Sequence, residues 1–210
     1  MAYLIDHAAR EVALRKYVVP ECLHMPIAAV DENAIRNYIG EIQQELGRGS
    51  PAKAFVVHVK EPPPVDMRFP VWELEASKIF HQRTQVWVHV SYTRYRHAYR
   101  KAFPLEDISD KILSHTLNRR VAVLKGFQYT RITPTSRSAN SSAAFSEGWA
   151  MELYNKPEEL AAFKKRGAFI QHADLTDLML MLDMKLGGGI MDAVNVAQRL
   201  IDLRPESASI

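Results

Sequence analysis

The sequence predicts an α/β protein of the α+β type: a small mixed sheet with surrounding helices and a helical C-terminal section. Three observations carry that expectation. Short β-branched runs such as Ala54–Val59 (AFVVHV) and Gln85–Tyr92 (QVWVHVSY) read as strands buried on at least one face. Segments with apolar residues three and four apart lie between them and read as amphipathic helices. After residue 157 the pattern is helical.

Taken in order, residues 3–19 carry Leu4, Ile5, Ala8, Val12 and Leu14 in helical phase, and Met25–Val30 (MPIAAV) is a short strand. Asp31 or Asn33 caps a helix through Leu46, with Ile35, Tyr38, Ile39, Ile42 and Leu46 as its stripe and Gly47 and Gly49 as its stop. Four of the ten residues in EPPPVDMRFP (61–70) are proline, so this is a loop or rigid spacer. Residues 71–80 fit strand or helix equally. Thr93–Phe103 is helical, with Tyr95, Tyr99 and Phe103 at i, i+4 and i+8. Leu105–Lys125 reads as one helix ended by Gly126, and Phe127–Thr133 as a strand closed by Pro134. The segment TPTSRSANSS reads as a polar loop. Pro157 starts a helix over Glu158–Lys165, and Asp174 or Thr176 caps a nearly all-apolar helix over 177–186. Gly187–Gly189 breaks that helix, and Ile190–Leu203 is the last one.

The length of 210 residues suits one domain, with a subdivision conceivable only near the 61–70 loop. The single cysteine, Cys22, forms no internal disulfide and fits a small buried residue in a reducing compartment. The N-terminus lacks a signal-peptide core, and no run reaches the roughly 18 apolar residues of a membrane span. The expectation is a cytoplasmic protein with no membrane partner.

Charge is distributed unevenly. From His81 to Arg137 there are eleven Lys/Arg and three Asp/Glu, a local net charge of +8, while the remaining residues hold sixteen basic and twenty-one acidic. Such a block implies an anionic partner: nucleic acid (DNA or RNA) or nucleotide phosphate. Arg94, Arg96, Arg100, Lys101, Arg119, Arg120 and Arg131 are the expected phosphate contacts, with Tyr95 and Tyr99 available for base stacking. A solvated face with no partner explains the same charges. So do ordinary helix ion pairs from Arg119 and Arg120 to Glu106, Asp107 or Asp110.

The stretch 112–149 gathers the groups that phosphodiester cleavage uses. That chemistry takes a general base, a cation for the transition state and donors for phosphate oxygens. On the expected helix, His115 and Arg119 share a face, and the 134–142 loop carries Arg137 and Asn140. His115, Arg137 and Asn140 are therefore the catalytic candidates, with Glu147 as an added metal ligand. No HxxxH or CxxC pair marks a zinc site, and no cofactor is named by any motif. The order His115, Arg137-Ser-Ala-Asn140, Glu147 loosely resembles the His…Asn layout of HNH-type nucleases, although Ser114 stands where those carry an acid and the following helix carries no second histidine. The 25–59 segment, with Arg119-Arg120-Val-Ala122…Gly126 and Tyr129–Thr133, is similar to ParB/sulfiredoxin-like domains, which bind nucleotides or DNA. Here about fifty residues intervene and no Gly-x-x-Arg precedes the helix. The two patterns exclude each other, and the chain is assigned to neither.

Two functions follow. The first is a nucleic-acid-binding protein working through the 81–141 block, with a nuclease using His115, Arg137 and Asn140 as its catalytic form. The second is a non-catalytic protein-interaction module (inhibitor, adaptor or immunity-type), in which the basic face and the Met-rich 177–186 helix meet a protein partner.

Overall fold

The computed structural model describes residues 26–47, 52–59, 83–165, 167–173, 177 and 180–181. Expectations for residues 3–19, Cys22, the 61–70 loop, residues 71–80, the Gly187–Gly189 break and the last helix lie outside these. So does most of the Met-rich helix.

The class is α+β. In chain order the elements are β1 (Pro26–Ala29), α1 (Glu32–Tyr38), β2 (Gly40–Leu46), β3 (Ala54–Val59), β4 (Thr84–His89), α2 (Tyr95–Ala102), β5 (Ile112–His115), α3 (Arg119–Lys125), β6 (Tyr129–Thr135), α4 (Arg137–Tyr154), α5 (Pro157–Lys165) and β7 (Ile170–His172). The strands form one seven-stranded sheet in the order β2-β3-β4-β6-β1-β7, with β5 paired to β6 outside that path. Every strand pair is antiparallel.

Strand β6 is the hub. One edge pairs with β4 from Tyr129 to Ile132. The other edge takes β1 at Tyr129 and Thr130 and β5 from Ile132 to Thr135, so β1 and β5 lie end to end. Pro134, which has no N–H, falls beyond the stretch paired with β4.

Both faces of the sheet are covered. Val86, Val88, Ile132 and Leu113 pack with Ala98 and Tyr99 of α2 on one face. Phe55, Val57, Trp87 and Tyr129 pack with Ala34 and Ile35 of α1 on the other. This explains the uninterrupted apolar runs in β3 and β4.

Three expectations are corrected. The helix expected through Leu46 stops at Tyr38, and Gly40–Leu46 is a strand on β3. Asp31 Oδ1 accepts from Ala34 N at 2.7 Å and starts the helix as expected. At Gly40 the chain passes so close to β3 that a Cβ would sit 2.2 Å from the His58 carbonyl oxygen. The stripe residue Tyr38 is 61% exposed.

The helix expected over 105–125 is instead a turn-rich connection, strand β5 and the two-turn helix α3. Asp107 Oδ1 accepts from Ser109 N at 2.9 Å, a local bond that competes with helix. Leu105, counted in the apolar stripe, is 98% exposed. Asn118 opens α3 as its N-cap. Gly126 closes α3 in the left-handed conformation at φ +88, where its N–H reaches the carbonyls of Ala122 and Val123.

The polar loop expected after Pro134 is the start of α4, an 18-residue helix. Ser136 Oγ accepts from Ala139 N at 3.2 Å, and Ala139 and Ala143 are buried. Helices α3, α4 and α5 meet around Lys125, whose ammonium lies 4.4 Å from the ring centres of both Tyr154 and Phe163.

Candidate nucleic-acid interface

Helix α2 is built from a two-sided sequence. Ala98 and Tyr99 are buried against the sheet, while Arg94, Arg96, His97, Arg100 and Lys101 are exposed. The buried side is fixed by more than area. The Tyr99 hydroxyl donates to the Glu106 carboxylate at 3.0 Å, and its ring lies 4.7 Å from that of Phe103. Arg96 Nη2 donates to the Lys111 carbonyl at 3.2 Å and ties the helix to the segment before β5.

His115 lies under the start of this helix, on strand β5 opposite Ile132. Its ring meets that of Tyr95 edge-on at 5.2 Å. Its Nδ1 is 2.7 Å from Thr130 Oγ1, and its Nε2 is buried with no hydrogen-bond partner among the described residues. Burial, and secondarily the Arg119 charge, lower its pKa to about 4. The ring is therefore neutral at pH 7.

Asn118 and Glu147 form a second polar link beside it. Asn118 Nδ2 donates to Glu147 Oε2 at 2.7 Å, while Asn118 Oδ1 accepts from Arg120 N at 2.8 Å. This joins α4 to the first turn of α3, where Arg119 and Arg120 are exposed.

The expected catalytic residues occupy two places. His115 stands beside Ile132, whereas Arg137 and Asn140 are in the first turn of α4, beyond the end of β6. Five residues of near-extended chain from Ile132 to Arg137 span about 16 Å. No hydrogen bond or ion pair among the described residues joins His115 to Arg137 or Asn140. Arg119 is still close enough to act on His115, across a strand-to-helix junction and not along one helix face.

Two expected surface contacts are in the core. Arg131 is 1% exposed, opposite Trp87 in the sheet, and burial lowers its pKa to about 10. Tyr99 is likewise 1% exposed. Both lie beneath the surface that a ligand would touch. Glu147 is committed to Asn118, and among the described residues no three His, Cys, Asp or Glu side chains gather as a metal site requires.

No family model, curated protein or solved structure matches the chain.

Thr130 and the Asn118–Glu147 pair escaped sequence reasoning. Asn followed by a helical run is an N-cap signal that the longer helix concealed. The Thr130 contact depends on strand register and leaves no local trace. Among the described residues, no helix is long and apolar enough to cross a membrane.

Proposed function

We propose that the chain is a cytoplasmic nucleic-acid-binding protein that holds phosphates with the exposed cations of α2 and of the first turns of α3 and α4. One observation supports this best. Among the described residues, Arg94, Arg96, Arg100, Lys101, Arg119, Arg120 and Arg137 form no ion pair, whereas Arg36 and Lys53 on the α1–β2 side are matched to Glu32 and Glu45. Uncompensated, exposed arginines in one sequence block suit an anion carrying many phosphates.

Binding is the core of the reading. Cleavage by His115, Arg137 and Asn140 would require all three on one phosphate, and among the described residues no hydrogen bond joins His115 to either of the other two. Fluorescence polarisation with labelled DNA and RNA tests the reading. Affinity is expected to fall by about 10²-fold or more between 50 and 200 mM salt, through counterion release. Absence of binding at low salt overturns it.

A protein-interaction role draws on a different surface. Tyr38 and Phe169, 61% and 58% exposed, stack with ring centres 5.9 Å apart and, with Ile170 and His172, line a recess of about 330 Å³. Under that reading, Tyr38→Ala abolishes capture of a protein partner and leaves nucleic-acid affinity unchanged.

A further inference from the structure

We infer that the nucleic acid is B-form duplex DNA, with α2 lying against the major groove and held by phosphate contacts. The inference rests on the phosphate-binding reading above and adds the shape of the partner.

The orientation of α2 excludes base stacking as the main contact. A single-strand binder offers aromatic faces on which bases stack. The aromatic residues of this region point inward instead. Tyr99 and Tyr92 are buried, and Tyr95 is turned onto His115. What remains outward is almost wholly charged. At about 100° per residue, Arg96, Arg100, His97 and Lys101 cover an arc of roughly 140° on one side of the helix.

The dimensions fit a groove. An α-helix with its side chains is about 10–12 Å across, and α2, eight residues long, would lie along the groove for about 12 Å. The major groove of B-DNA is about 12 Å wide and admits an α-helix, whereas the A-form groove of duplex RNA is deep and narrow. Cations spread around the arc then reach phosphates on both sides of the groove. Arg119, whose charge reaches His115, and Arg120 add two exposed cations at the start of α3. Where the outward arginines and lysine stay on phosphates, the contacts carry no sequence information.

The experiment compares three labelled probes of one mixed sequence at equal salt: a DNA duplex of about 20 base pairs, the matching RNA duplex and a single DNA strand. Duplex DNA is expected to bind at least about tenfold tighter than either other probe. In the triple variant Arg96→Ala/Arg100→Ala/Lys101→Ala, the slope of log affinity against log salt is expected to fall by about 2 to 3, near 0.9 per lost phosphate contact. Its thermal unfolding should stay close to the parent's, because all three side chains are exposed and the only bond lost among the described residues is the surface one from Arg96 to the Lys111 carbonyl. The Arg36→Ala control, which removes a cation paired with Glu32, should leave the slope unchanged. Equal or tighter binding of the single strand or of the RNA duplex overturns the duplex-DNA inference and leaves the phosphate-binding reading standing. An unchanged slope in the triple variant overturns the assignment to α2. Failure to bind all three probes overturns both readings.

Discussion

Asn118 of the β5–α3 junction donates from Nδ2 to Glu147 Oε2 on α4 at 2.7 Å, across 29 residues of sequence. The same amide caps α3 through Oδ1, which accepts from Arg120 N at 2.8 Å and Val121 N at 3.4 Å. One side chain thus opens α3 and fastens it to α4, which sets where Arg119 and Arg120 stand. Asn118→Ala is expected to cost about 1–2 kcal/mol of stability, combining a lost cap with a lost charge-assisted bond. A double-mutant cycle with Glu147→Ala, followed by denaturant unfolding, should return a coupling near 1 kcal/mol. A coupling of zero would show that the link contributes nothing.

His115 makes folding sensitive to acid. Its folded pKa of about 4 lies below the ordinary 6.5 that an unfolded chain would show. The neutral ring is the form the fold holds, so its contribution is intact above pH 6.5. As pH falls from 6.5 toward 4 the unfolded state takes up the proton first and stability is lost, levelling off below 4. The loss is on the order of 3 kcal/mol. His115→Gln should flatten this limb in denaturation curves between pH 7 and 4. An unchanged limb would place the titration elsewhere.

Two glycines should respond differently to alanine. A Cβ at Gly40 would meet the His58 carbonyl oxygen at 2.2 Å, a backbone atom held in the β2–β3 ladder. Gly40→Ala is expected to cost more than about 3 kcal/mol or to prevent β2 from pairing. At Gly126 nothing lies within 4 Å, and only the left-handed φ of +88 opposes a side chain. Gly126→Ala should cost about 1–2 kcal/mol. Thermal melts of the two variants, side by side, check the ranking.

Tyr99→Phe separates scaffold from interface. It removes the hydroxyl bonded to Glu106 and keeps the buried ring. Stability should fall by about 1 kcal/mol, while affinity for duplex DNA stays within about twofold. A large loss of affinity at unchanged stability would mean that Tyr99 meets the ligand directly.

Local pattern was enough for β1, β3, β4, α2, β6 and α5, where alternation, a proline start or a steady helical stripe points one way. It was also enough to expect Arg96, Arg100 and Lys101 on the outer side of α2. It misread β2 and β5. Ile35, Ile39 and Ile42, like Ile108, Ile112 and Leu113, recur at intervals that a helix and a helix-then-strand satisfy equally. Hydrogen bonds to β3 and β6 decide between them, and those partners are distant in sequence. Strand β7, three residues long, has no pattern to find.

Composition and local periodicity suffice for the α+β class, the concentration of positive charge in 81–137 and the two-sided character of α2. Tertiary structure decided which members of that block face water. It buried Arg131 and Tyr99, because both faces of the sheet are covered and alternation no longer separates inside from outside. It also set His115 apart from Arg137 and Asn140, because antiparallel pairing fixed His115 opposite Ile132 while the chain ran on through Thr135 before α4 began.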